Sequence, residues 1–96
     1  MHGSLKDYRH VHPATAELVI EVAISTVEVD RQKATIYADG GVKEYWLVIP
    51  EAGCVEVHRG PAEGGYRERF VATGPIRLES TAVPGFSVPL AELFAS

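Results

Sequence analysis

Residues 16–26, AELVIEVAIST, read as the first β-strand of the chain. A strand alternates its faces with period 2, so Leu18, Ile20 and Val22 point one way and Glu17, Val19, Glu21 and Ala23 the other. Two acids on one face of an otherwise apolar strand call for a reason. The residues that follow supply the rest of the layout. Ser25 to Glu28 has the S-x-x-E form of a capping box, which predicts a helix start. Val29, Lys33, Ile36 and Tyr37 then recur at helical spacing, and the pair Gly40-Gly41 ends the helix where a left-handed residue is cheap.

KEYWLVIP (43–50) is a second strand closed by Pro50, and PEAGC turns the chain into CVEVHR (54–59), where Val55 and Val57 alternate with Cys54, Glu56 and His58. GPAEGG (60–65) is a second turn, and YRERFVA (66–72) alternates again. PIRLES (75–80) adds a short edge strand, and the tail ends in a short helix from Pro89, a residue well tolerated at a first helical position. This order predicts an α/β (α+β) fold: a mixed β-sheet of four to five strands with one main helix and a short C-terminal helix. Residues 1–15 are expected to form a polar arm and residues 16–96 one domain. One helix of about 13 residues covers one face of such a sheet, so the other face is expected to stay polar or to find a partner.

Composition bounds what the chain does. Its 96 residues, 46 % hydrophobic and 23 % charged, suit one small globular domain with an adequate core. A formal charge of -4 gives no global basic field, so a polyanion partner needs a local patch or a bound metal. The single cysteine, Cys54, excludes an internal disulfide and a cysteine-based zinc cluster; it suits a reducing cytosol, with a buried structural thiol as the default. No apolar run approaches the roughly 20 residues that span a bilayer, and MHGSLKDYRH lacks the apolar stretch of a signal peptide, so a cytoplasmic location is expected. The motifs of hydrolase elbows, P-loops and zinc proteases do not occur.

Glu17, Glu21 and Lys33 form the strongest local anomaly. Carboxylate oxygens suit a hard ion such as magnesium, and a nearby ammonium steadies developing negative charge. The competing reading is a solvated strand face with a lysine that extends past its aliphatic stem. Positions 17 and 21 are roughly 13 Å apart along a strand, so a shared ion requires a ligand from a neighbouring strand. His10-x-His12 lacks a third ligand. Arg67 and Arg69, with Arg59 nearby, either touch phosphates or solubilise an edge.

Taken together, HP-x-x-AELVIEVA-x-S followed by DRQKATIYADGGVKEYWLV resembles the Uma-two family of restriction endonucleases, a branch of the PD-(D/E)XK nucleases, over about Tyr8 to Phe94. The resemblance implies a restriction-endonuclease-like core in which carboxylates on adjacent strands bind Mg2+ or Mn2+ and a lysine assists attack of water on a DNA phosphodiester. Carried over, Glu21 is the metal-binding glutamate, Lys33 the lysine moved from strand to helix, and Glu17 a metal ligand where relatives carry aspartate. Relatives are about twice as long and hold an earlier strand whose aspartate stands beside Glu21. The chain is therefore expected to be N-terminally shortened and its metal centre degenerate. The alternative is a non-catalytic, self-associating interaction module, and a homo-oligomer is expected because a shortened domain exposes a sheet edge and an apolar face.

Overall fold

The computed structural model describes residues 17–24 and 27–94. The arm at 1–15, the His10-x-His12 pair and the capping serine Ser25 lie outside the described residues. Eight elements follow in order: β1 (Leu18–Val22), α1 (Val27–Asp39), β2 (Glu44–Ile49), β3 (Cys54–Ala62), β4 (Gly65–Thr73), β5 (Arg77–Glu79), β6 (Ser87–Pro89) and α2 (Leu90–Phe94). β1 to β4 form a four-stranded sheet in that spatial order, β1 parallel to β2 and the others antiparallel. The fold is α+β, as the element order predicts.

A short strand joined to its neighbour through a helix must cross over, and this gives the parallel β1–β2 pair. Helix α1 stops through a Schellman motif: Gly41 takes φ 86°, its N–H bonds the Ala38 carbonyl, and the Val42 N–H bonds the Tyr37 carbonyl. The β3–β4 hairpin is tighter than GPAEGG suggests. Pairing continues to Ala62 opposite Gly65, so the turn shrinks to Glu63-Gly64 with Gly64 left-handed at φ 86°.

Alternation along β1 and β2 sorts the core into two clusters. On the helix side, Val19, Ala23, Tyr45, Leu47 and Ile49 pack with Ala34 and Val42, and the half-buried Cys54 joins them. On the far side, Ile20, Trp46, Val48, Val55 and Val57 pack with Leu78, Leu90 and Leu93.

Three expectations are corrected here. PIRLES does not extend the main sheet; β5 pairs antiparallel with β6 in a separate two-stranded sheet. The face opposite α1 is neither polar nor dependent on a partner for cover, because residues 78–94 fold over it and set Phe86, Val88 and Phe94 against its core. The helical stripe is corrected as well. Val29 and Ile36 are 55 % and 69 % exposed, while Asp30, Ala34 and Ala38 face the sheet. Small alanines let the helix axis approach closely, and polar groups fill the remaining contact. Among the described residues no helix is long and apolar enough to cross a membrane.

Candidate functional site

Glu21 is the fourth of the five residues of β1, paired with Leu47 of β2, and its side chain points under α1, where the residue is only 3 % exposed. A carboxylate taken this far out of water requires hydrogen-bond donors or a cation. The helix and the next strand provide both. The Tyr37 hydroxyl donates to Glu21 Oε2 at 2.6 Å. The Tyr45 hydroxyl lies 3.0 Å from the Asp30 carbonyl oxygen and 3.4 Å from Glu21 Oε1. Lys33 Nζ stands 3.6 Å from Glu21 Oε1 and 3.1 Å from Asp30 Oδ1, so one ammonium bridges two buried carboxylates. Burial, reinforced by the negative charges of Glu21 and Asp30, pushes the Tyr45 phenol far above its ordinary range and keeps it a donor.

The structure brings Glu21 and Lys33 together and leaves Glu17 apart. Glu17, at the exposed start of β1, sets its carboxylate 3.2 Å from Lys43 Nζ. A solvated strand face describes Glu17 well and Glu21 not at all. Three further members of the cluster, Asp30, Tyr37 and Tyr45, were not legible as site residues. A signal existed: Asp30, Lys33 and Tyr37 follow i, i+3, i+7 spacing, which places them on one face of the helix.

Two more buried carboxylates flank the cluster. Glu56, on β3 and the helix side, accepts from Arg31 Nε at 3.0 Å and Nη2 at 2.6 Å through Oε2 and from Nε at 3.2 Å through Oε1, which clamps α1 to the sheet. Glu44 lies on the opposite side. Its Oε2 accepts from Trp46 Nε1 and Arg59 Nε, each at 2.8 Å, and its Oε1 from Ser80 Oγ at 2.7 Å and the Thr81 and Ala82 N–H groups at 3.1 Å. Burial alone would raise the Glu44 carboxyl, but the donors Arg59, Trp46, Ser80 and Ala82 outweigh it and hold the group below the ordinary glutamate range. Arg59, which also lies over the Phe70 ring, is thereby committed to the interior. Arg67 and Arg69 remain exposed on β4.

Magnesium and manganese require several hard oxygen ligands around one point. Hard oxygen ligands are present, but of the two acids implied by resemblance only Glu21 lies in the cluster. Both of its oxygens already face donors. Among the described residues no group of three or more His, Cys, Asp and Glu side chains is placed to hold a metal. Magnesium demands near-octahedral oxygen geometry, and these residues by themselves do not meet it.

The Uma2 family model, described as "Putative restriction endonuclease", matches residues 3–91. No curated protein matches the chain.

Proposed function

The chain belongs to the Uma2 family, and from that premise we propose that it is a nuclease-like domain that does not hydrolyse DNA by itself. In this reading Glu21 and Lys33, the pair carried over from a metal-dependent phosphodiesterase, hold α1 on the sheet. The observation that carries it is the state of Glu21, whose Oε2 accepts from Tyr37 at 2.6 Å while Oε1 faces Tyr45 and Lys33. A carboxylate so engaged has to surrender those contacts before it can bind a cation, and it lacks a second oxygen ligand from Glu17. Their donor set does not fit the ion that such hydrolysis requires. The domain's role is then that of an interaction module: with the far face covered by residues 78–94, the edge strands β1 and β4 of the main sheet are what support pairing with a second copy of the chain.

Metal-dependent hydrolysis of DNA is the second reading. One observation favours it: the Lys33 ammonium lies between Glu21 and Asp30, so the cluster already favours a positive charge there. Lys33 is about one-third exposed, which leaves its long side chain room to withdraw toward a phosphate. A cleavage assay separates the two. Purified chain with Mg2+ or Mn2+ is expected to cut plasmid DNA no faster than Glu21→Gln. Metal-dependent cutting that Glu21→Gln abolishes would overturn the proposal.

A further inference from the structure

His58 lies in the middle of β3, 5 % exposed, with Tyr45 opposite it on β2 and Arg69 opposite it on β4. Its ring is held between two phenols, 5.4 Å from the Tyr45 centroid and 5.8 Å from that of Tyr66. Nε2 is buried and has no hydrogen-bond partner. Glu56 Oε1 stands 3.9 Å away and accepts from Arg31 Nε of α1 at 3.2 Å, while Glu56 Oε2 accepts from Nε at 3.0 Å and Nη2 at 2.6 Å; Arg31 also holds Glu28 at 2.6 Å. A buried polar atom left unpaired lowers stability, so its retention asks for a reason.

We propose that His58 is an acid-sensitive latch: its protonation draws Glu56 away from Arg31 and loosens α1 from the sheet.

The groups around the imidazole set the sign. Arg31 from α1 and Arg69 from β4 are both positive, Tyr45 and Tyr66 are neutral, and Glu56 is the one negative group among them. A charged imidazole therefore adds a third positive charge around one carboxylate, and at 3.9 Å it has to pull that carboxylate closer to bond it. In doing so Oε1 gives up its 3.2 Å bond from Arg31 Nε, and the added cation weakens the two bonds that Arg31 keeps to Oε2. Burial lowers the imidazole below its ordinary range; Glu56 opposes this, and Arg69 and Arg31 add to it. The folded state thus binds the proton less readily than the unfolded chain. Stability conferred by neutral His58 is complete above the ordinary histidine value of about 6.5 and declines as the pH falls below it, until the lowered folded value is passed. The Tyr45 ring beside His58 carries the hydroxyl that reaches Glu21, so loosening here extends into the candidate site.

Hydrogen exchange of the α1 amides, read at several pH values against His58→Gln at the same pH, tests the latch. The wild-type chain is expected to open α1 more readily than His58→Gln, by up to about tenfold per pH unit below about 6.5. Equal pH dependence in the two proteins overturns the proposal. Should His58→Gln not fold, NMR titration of the wild-type chain decides it. The His58 Cε1–H shift and the protection of Arg31 Nε–H should change with one midpoint, and a titrating His58 beside an unchanged Arg31 Nε–H overturns it. Neither readout involves cleavage, so failure here is distinguishable from failure of the functional reading.

Discussion

Glu17 and Glu21 differ by four positions and have opposite fates, because burial along β1 is decided by what covers each residue. Glu21 lies under Tyr37 and Lys33, and the protein's answer to its charge is a set of donors. Tyr37→Phe removes the 2.6 Å donor and keeps the ring, so it should destabilise the fold by about 1.5–3 kcal/mol, the usual worth of a hydrogen bond to a charged group. Urea unfolding followed by the fluorescence of Trp46, the single tryptophan, measures this. Glu44 supports a second prediction. Glu44→Gln leaves the Arg59 charge without its partner and should cost about 2–4 kcal/mol at pH 7. Because the folded Glu44 carboxyl is held low, its contribution is complete above the ordinary glutamate value of about 4.3 and is lost as the pH falls through the folded value. Urea midpoints of the wild-type chain should therefore fall in that acid window more steeply than those of Glu44→Gln.

Helix α1 shows what a periodic pattern conveys and what it does not. Its length and its glycine stop were legible, since Gly40-Gly41 meets the needs of a Schellman ending. Its buried face was legible only in part. Of the predicted stripe, Lys33 and Tyr37 do reach Glu21 on the sheet, but Val29 and Ile36 face away, and the contact is completed by Asp30, Ala34 and Ala38. Hydrophobicity alone cannot reveal a contact built from alanines and hydrogen-bonded polar groups, because its stabilisation comes from close approach and from partners distant in sequence. Ile36→Lys should accordingly change stability by less than about 0.5 kcal/mol, whereas Ala34→Leu should cost about 1–3 kcal/mol by overfilling the interface. Chemical denaturation of both variants checks the assignment, and the reverse order would place the wrong face against the sheet.

Across the whole molecule, the order of elements and the mixed sheet were readable from alternation and turn residues, while the separate β5–β6 pair and the cover on the far face were not. Residues 78–94 contribute apolar side chains too scattered in sequence to register as a core element, and they are tied down by Glu44, a residue 36 positions from Ser80. The candidate site was half legible for a similar reason. Glu21 and Lys33 stood out as residue types, but Tyr45 joined them only through the β1–β2 register. On the reading proposed above, Glu21 holds α1 on the sheet and does not anchor a cation. A Mn2+ titration of the wild-type chain and Glu21→Gln, followed by the electron paramagnetic resonance of free Mn2+, tests it most directly. Equal and weak uptake by both proteins is predicted, and saturable binding at one site that Glu21→Gln abolishes would contradict the account.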